Sequence, residues 1–299
     1  MSKTVLVELS DALADAAELA GKSTVLVNGR RRLPASGIIY AADHVLTAEH
    51  VIEKDEDISV VLADGTEVPA KIAGRDAGTD LAVLKLERAA GTVADVGKSP
   101  ARLGQIALAL ARPSRKGLEA SLGTVSAVAG PVRTGRGGML ERYIRTDSIS
   151  YPGFSGGPLV AADGTILGLN TSGLSNGPAI TIPADIAWSI ADTLAKHGQI
   201  KRGYLGIRSQ TVDIANNSQE ALKRQQATGL LVMSVEKDSP AAKGGLIVGD
   251  ILVAVAGNPV LHHDELFTRL NGDVVGKSAP IEILRGGQPQ TLNIVIGER

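Results

Sequence analysis

One serine in this sequence lies in a turn that consists largely of glycine. Ser155 occupies the centre of Gly153-Phe154-Ser155-Gly156-Gly157-Pro158, between two apolar stretches. A serine hydroxyl becomes a useful nucleophile only when a base takes its proton and donors stabilise the oxyanion that forms. Glycines allow successive backbone N–H groups to turn toward one point, as an oxyanion site requires. The segment therefore predicts nucleophilic catalysis by Ser155.

A base and an orienting acid are both present upstream of this serine. His50 lies in Leu46–Ile52, and Asp80 begins an alternating apolar run. His50 is the predicted general base, and Asp80 is predicted to accept its other ring N–H and fix the tautomer. The chain order His, Asp, Ser is that of chymotrypsin-like enzymes.

The spacing of Gly153 and Gly157 around the serine also fits the nucleophile elbow of α/β-hydrolases. In that fold the acid and the histidine follow the serine, and a helix comes directly after it. Here residues 158–169 predict two short strands around an Asp163-Gly164 turn. The chymotrypsin-like interpretation is therefore favoured.

Four motifs in this order resemble the HtrA/Deg family of serine endopeptidases, and the resemblance covers nearly the whole chain. They are Thr47–Val51 around the histidine, Thr79–Val83 around the aspartate, Thr146–Pro158 around the serine, and Arg202–Ile207 near the start of the last segment. The resemblance implies a mostly-β protein, with a chymotrypsin-like double β-barrel protease domain in residues 1–200 and an α+β PDZ domain in residues 203–299.

The local patterns agree with this organisation. A helix is predicted from an N-cap at Ser10 to about Ala20, and a second helix over Ala184–His197 after Pro183. Two strand-rich segments, 25–86 and 106–182, suit two barrels, and Asp64-Gly65 marks a hairpin turn in the first.

By resemblance, the N–H groups of Gly153 and Ser155 form the oxyanion hole, and Phe154 shapes the loop between them. The family normally has asparagine at the Phe154 and Tyr151 positions, so two aromatic rings here are a departure. Exposing a ring on a glycine-flexible turn is unfavourable. We therefore expect Phe154 to occupy an apolar pocket, and we hypothesise that its docking helps to form the oxyanion hole.

Two further binding sites are predicted. Ile149 is six positions before the serine, where chymotrypsin-like folds place the floor of the S1 pocket, and an apolar floor favours small to medium aliphatic P1 residues. Thr171, Gly173 and Leu174 are assigned to the same substrate pocket. In the PDZ-like segment, Tyr204-Leu205-Gly206-Ile207 resembles the loop that binds a peptide C-terminal carboxylate through backbone N–H groups.

The basic segment 130–138 precedes the serine motif. In the family, a loop at this place relays contacts to the oxyanion loop, and Arg133 is the nearest candidate sensor. An ordinary solvated loop is an equally open interpretation. His262 and His263 are adjacent, with no second group of ligands, so we interpret them as surface residues and predict no metal site.

Composition excludes several classes of function. The formal net charge is −1 and aromatic residues make up 2% of the chain, so nothing favours a nucleic-acid partner. There is no cysteine, which excludes disulfides and thiolate chemistry. No organic cofactor is implied. No stretch has the length of a transmembrane helix.

The compartment stays open. Glu8, Asp11 and Asp15 interrupt any signal-peptide core, which predicts a cytoplasmic protein as written, or an extracytoplasmic one if a leader has been removed.

The resemblance implies an ATP-independent serine endopeptidase that degrades unfolded or misfolded proteins and binds peptide C-termini. It also implies a homotrimer or a higher homo-oligomer. The alternative is a peptide-binding or holdase-type module whose active site is rarely assembled, suggested by the unusual Tyr151 and Phe154.

Overall fold

The N-terminal helix is longer than the sequence indicated. In the computed structural model, which describes residues 4–89, 91–136, 138–174, 178–270 and 274–298, helix α1 spans Val5–Gly21 with Thr4 at its N-cap. The prediction of an N-cap at Ser10 was wrong, because residues 5–9 contain no glycine or proline to interrupt the helix. Ala16 and Ala20 are buried against Leu108, Leu110 and Val160 of a later barrel.

Six antiparallel strands close into a first barrel in the order β1-β2-β3-β6-β5-β4. They are β1 (Thr24–Asn28), β2 (Ala35–Ala41), β3 (His44–Ala48), β4 (Ile58–Val61), β5 (Glu67–Asp76) and β6 (Leu81–Leu86). A short 3-10 helix, Glu49–Val51, follows β3. The predicted turn at Asp64-Gly65 connects β4 and β5 and is confirmed: the Asp64 carboxylate accepts the Thr66 N–H at 2.8 Å.

A second closed barrel has the order β11-β14-β13-β12-β7-β8. Its strands are β7 (Ile106–Ser114), β8 (Gly117–Ala129), β11 (Tyr143–Thr146), β12 (Pro158–Ala161), β13 (Ile166–Thr171) and β14 (Ile180–Pro183), and a small hairpin, β9 (Val132–Arg133) with β10 (Met139–Leu140), lies between β8 and β11. Two barrels of six strands confirm the predicted chymotrypsin-like double barrel.

Aliphatic side chains join the two barrels. Leu46 and Leu81 of the first barrel share a buried cluster with Ile166 and Leu169 of the second. Helix α2 spans Ala184–His197, as predicted, and packs Leu194 into the same cluster. Tyr40 is buried in the same cluster and Tyr143 and Trp188 pack against it, so aromatic rings and branched aliphatic side chains together form this close-packed core.

The chain divides into two units, and the second runs from Lys201. Its central sheet has the order β16-β17-β18-β20-β21, β19 pairs with β18, and β15 pairs with β22. The elements are β15 (Gly203–Tyr204), β16 (Ile207–Asp213), α3 (Asn216–Leu222), β17 (Thr228–Val235), α4 (Pro240–Lys243), β18 (Ile251–Val255), β19 (Asn258–Pro259), α5 (His263–Leu270), β20 (Ser278–Arg285), β21 (Gln288–Val295) and β22 (Gly297–Glu298).

An ion pair between buried Asp250 and half-buried Arg285 connects the sheet of this unit to a loop. Both oxygens of the Asp250 carboxylate accept from the Arg285 guanidinium at 2.8 Å. This contact raises the pKa of Arg285.

In the described part of the chain, no helix is both long and apolar enough to span a bilayer.

Candidate active site

Strand pairing brings His50 and Asp80 together. His50 comes just after β3 and Asp80 just before β6, and these neighbouring strands are in register, with Ala48 opposite Leu81. His50 Nδ1 lies 2.8 Å from one carboxylate oxygen of Asp80 and 3.1 Å from the other. Since a carboxylate only accepts, Nδ1 carries the proton and Nε2 is left with its lone pair.

The Asp80 carboxylate is fully buried, and three groups satisfy it. It accepts from the His50 ring, from the His50 backbone N–H at 2.9 Å, and from the Thr171 hydroxyl. Its φ of +56° is one that aspartate tolerates better than most residues. A buried charge with this many donors holds its partner ring in one orientation.

Gly173 closes the other side of this pair. A Cβ at this position would lie 2.5 Å from both Asp80 Oδ2 and His50 Nδ1. The Gly173 N–H donates to the Thr171 hydroxyl at 3.0 Å, which aims that hydroxyl at Asp80. The residues after β13 therefore support the His–Asp pair.

The loop before β12 places Ser155 at the junction of the barrels. The Ser36 N–H donates to the Ser155 carbonyl at 3.2 Å, and the Ser36 hydroxyl donates to the Gly153 carbonyl at 2.8 Å. Ser36 belongs to the first barrel and Ser155 to the second. These two bonds fix the serine loop against the opposite barrel.

Two backbone N–H groups are available beside Ser155. Pro152 and Gly153 are the central residues of a turn closed by the Phe154 N–H, which donates to the Tyr151 carbonyl at 3.1 Å. Gly153 has φ +93°, which suits glycine at this turn position. Within the described residues, the N–H groups of Gly153 and Ser155 make no hydrogen bond. They are the two donors expected for an oxyanion hole, whereas the N–H of Phe154 is occupied.

The Phe154 ring is buried in the core of the second barrel. It is 1% exposed, packs with Ala109, Val125 and Leu159, and meets the Tyr151 ring edge-on at 5.5 Å. The expected apolar pocket is therefore present. The effect of this docking on the oxyanion hole stays a prediction.

Ser155 and His50 line the same open cleft, of about 650 Å³. The Ser155 hydroxyl is 3.1 Å from the Ser172 hydroxyl and accepts the Ser172 N–H at 3.4 Å. Within the described residues, it makes no hydrogen bond with His50. The nucleophile and the base thus share a cleft, but Ser172 holds the hydroxyl. Sequence reasoning missed Ser172, because nothing local distinguishes it.

Comparison with known proteins agrees with this geometry. The trypsin-like peptidase domain family matches residues 35–169, and the PDZ domain family matches residues 203–296. A solved structure described as the HtrA-type protease AlgW with tripeptide is 31% identical, with a TM-score of 0.78, over 96% of this chain and 97% of that one.

The chain belongs to the HtrA family of serine proteases.

Another solved structure similar to this chain is a serine endoprotease from Yersinia pestis, with 29% identity, a TM-score of 0.78, and coverage of 96% of this chain and 98% of that one. Sequence relatives are also described as serine endoproteases. Two proteins called "Probable periplasmic serine endoprotease DegP-like", from Pseudomonas putida (strain GB-1) and Rhizobium meliloti (strain 1021), are 35% and 34% identical over 88% and 90% of this chain. The chain spans 55% and 54% of their lengths, about half.

The predicted substrate pocket of this HtrA-family chain needs correction. Ile149 is 58% exposed and, among the described residues, is not part of the cleft lining, so it does not form a buried floor. Leu174 is 4% exposed and packs into the cluster between the barrels. Thr171 and Gly173 contact the His–Asp pair. Position relative to the serine did not reveal where these side chains lie, because the loop conformations decide it.

Two residues of the segment 130–138 contact neighbours of the His–Asp pair; Gly137 lies outside the described residues. The Thr134 hydroxyl donates to the Gly78 carbonyl at 2.7 Å, close to Asp80. Arg136 pairs with Glu49, the neighbour of His50, at 2.8 Å. Arg133 is exposed on β9. Arg136, which the sequence did not single out, therefore contacts the histidine segment directly.

The loop 204–207 of the PDZ domain has the backbone expected for a carboxylate site. Gly206 has φ +79°, and a Cβ there would clash with Ser239. Within the described residues, the N–H groups of Leu205 and Gly206 make no hydrogen bond, while their carbonyls accept from Ala241 and Glu236 at 2.8 Å. Leu205 itself is buried in the domain core, and the Tyr204 hydroxyl donates to the Glu236 carboxylate.

His263 is not a free surface side chain. Its Nε2 lies 3.0 Å from the Ser209 carbonyl and 3.1 Å from the Ser209 hydroxyl, so it connects α5 to β16. Among the described residues, no three histidine, aspartate or glutamate side chains are grouped to hold a metal ion.

Proposed function

We propose that this chain is an ATP-independent serine endopeptidase that cleaves unfolded or misfolded polypeptides through an acyl-enzyme on Ser155. The observation that supports it most is His50, held by buried Asp80 at 2.8 Å, in one cleft with Ser155. The N–H groups of Gly153 and Ser155, which make no hydrogen bond within the described residues, lie beside it. Family membership supports the same reaction class.

The chemistry follows from these positions. Ser155 Oγ attacks the scissile carbonyl carbon, and its proton passes to His50 Nε2. The N–H groups of Gly153 and Ser155 receive the oxyanion; losing one such donor typically costs about 10²–10³ in turnover. His50 then gives the proton to the leaving amine, the acyl-enzyme forms, and water hydrolyses the ester with the same base. Asp80 stabilises the imidazolium throughout.

A fluorophosphonate probe together with an unfolded test protein examines this proposal. We expect the wild-type chain, without ATP, to be labelled at Ser155 and to produce peptides that mass spectrometry can map. Ser155→Ala serves as the matched control and should do neither. Absence of both labelling and cleavage in the wild type would instead favour the peptide-binding module. The relatives' description as endoproteases does not favour that alternative.

The PDZ domain is proposed to bind the C-terminal carboxylate of a peptide with an apolar last residue. The N–H groups of Leu205 and Gly206 support this, because they make no hydrogen bond among the residues that the structure describes. Titration calorimetry of Ser155→Ala with such a peptide and with its C-terminal amide tests it. We expect binding of the acid form only; equal affinity for both forms would contradict a carboxylate site.

Self-association into a trimer or a higher homo-oligomer is also proposed. Apolar residues exposed on α1, such as Val5 at 79% and Leu6 at 77%, are consistent with an interface. Light scattering would give the assembly mass as a multiple of 30.8 kDa.

The names of the relatives favour a compartment outside the cytoplasm. Fractionation of the native host would test that location.

A further inference from the structure

Three consecutive arginines line the cleft that contains Ser155. Arg30, Arg31 and Arg32 lie in the connection between β1 and β2, and all three belong to the cleft lining together with His50. Arginine runs are usually solvated, so their position in this cleft needs a physical reason.

The connection is attached at both ends to the candidate catalytic machinery. Before the arginines, the Gly29 carbonyl accepts the N–H groups of Glu53 and Lys54 at 2.8 and 3.1 Å, just beyond His50. After them, Ser36 bonds to Gly153 and Ser155 as described above. The arginine segment therefore extends from the histidine side of the cleft to the serine side.

The positive charge in this segment is little compensated. The Arg30 guanidinium donates to the carbonyls of Leu33 and Pro34, which shape the loop without neutralising its charge. Arg31 and Arg32 are exposed, and within the described residues they make no ion pair or hydrogen bond. Among the described residues that line the cleft, Glu53 is the one carboxylate.

Such a surface favours one kind of substrate. Guanidinium groups bind carboxylates through paired hydrogen bonds, and a cleft lined by charges of one sign raises the local concentration of the opposite sign. In a chain with a formal net charge of −1, this charge is a local property of the cleft.

We propose that the cleft selects polypeptide segments with aspartate or glutamate within a few residues of the scissile bond, and that Arg31 and Arg32 contact those carboxylates. This inference rests on the proposed peptidase function and specifies its substrate class.

A set of internally quenched peptides tests the selection. The peptides share one scissile sequence, and a single Asp, Asn or Lys is placed at each of four positions on either side. All carry a C-terminal amide, so that the PDZ carboxylate site is not engaged. We expect one or more Asp peptides to exceed their Asn counterparts about fivefold in kcat/KM, and the difference to shrink as salt is raised.

The Arg31→Glu/Arg32→Glu variant should reverse this order and favour Lys peptides. Arg102→Glu changes an exposed arginine outside the cleft and is the matched control, which should keep the wild-type preference. Equal rates for Asp and Asn peptides at every position would overturn the inference. So would a preference for Asp peptides that remains in the Arg31→Glu/Arg32→Glu variant.

Binding separates failure of this inference from failure of the peptidase assignment. Fluorescence anisotropy of Ser155→Ala with the same amidated peptides requires no catalysis. Tighter binding of Asp peptides that is lost in the arginine variant supports the selection even if no peptide is cleaved. Cleavage without any charge preference in rate or binding leaves the peptidase intact and refutes the selection.

Discussion

The hydroxyl oxygen of Ser172 lies 3.1 Å from that of Ser155, and both residues line the cleft that contains His50. This hydrogen bond engages the hydroxyl of Ser155, the candidate nucleophile. The candidate base, His50, is already oriented by Asp80. Attack on a carbonyl requires the Ser155 hydroxyl to leave Ser172 and turn toward His50.

Replacing Ser172 with alanine removes that competing hydroxyl. A neutral hydrogen bond contributes about 0.5–1.5 kcal/mol, so we expect Ser155 to react with a fluorophosphonate about 2–10 times faster in Ser172→Ala. The second-order labelling rate constant is the measurement, and Ser172→Thr, which keeps a hydroxyl, is the control. Slower labelling of the alanine variant would show that Ser172 assists the nucleophile.

Gly173→Ala tests the packing over the His–Asp pair. The added methyl group would lie 2.5 Å from His50 Nδ1, so the ring must move. Displacing a catalytic group by about 1 Å typically lowers the rate about 10²-fold, and we expect a loss of at least that size in kcat. The methyl group would also lie 2.5 Å from the buried Asp80 carboxylate, so we expect a lower melting temperature in a chain that still folds, since overpacking costs about 1–3 kcal/mol. Gly135→Ala is the control, since its methyl group would come no closer than 3.9 Å to the Leu174 carbonyl. Turnover within about threefold of wild type would contradict the placement of Gly173.

Phe154→Asn tests whether docking of the ring supports the oxyanion loop. Emptying a buried phenylalanine site costs about 3–5 kcal/mol of stability, and we expect the variant to lose both thermal stability and Ser155 labelling. Phe154→Leu fills much of the site, so we expect it to keep most of the thermal stability and most of the Ser155 labelling. If Phe154→Asn melts earlier but labels and turns over normally, the ring serves packing alone.

The Asp163 turn should make the second barrel sensitive to acid. The Thr165 hydroxyl, at 2.7 Å, and the Thr165 N–H, at 3.0 Å, lower the pKa of Asp163 below its ordinary value of 3.8. A depressed pKa adds stability that is complete above the ordinary value and is lost as the pH falls through the lower one. Thr165→Val removes the stronger donor, so we expect a lower melting temperature at pH ~7 and a smaller further decrease on acidification.

Melting curves between pH ~2 and ~7 give this comparison directly. Thr193→Val, which removes a hydroxyl that bonds within an exposed helical turn, is a suitable control. Identical pH slopes for wild type and Thr165→Val would show that the turn does not contribute.

The sequence was sufficient for the reaction class and the fold class. Ser155 in its glycine turn, with His50 and Asp80 upstream, indicates a serine peptidase through residue types and their order in the chain. Both are known before the conformation is. The alternating strands and the capped helix Ala184–His197 are local patterns that burial in a barrel preserves. Local patterns of this kind can therefore be recognised from the sequence without the structure.

Only the tertiary structure decided which side chains meet in the cleft. Ile149 is exposed and Leu174 is buried between the barrels. Ser172 contacts the serine although no predicted motif contains it, and Arg136 rather than the predicted Arg133 is seen to pair beside the histidine. Those contacts join residues far apart in the sequence through loops whose paths depend on anchors such as Ser36. A side chain's neighbours across two barrels are set by that packing, because no local pattern along the chain encodes contacts between distant loops.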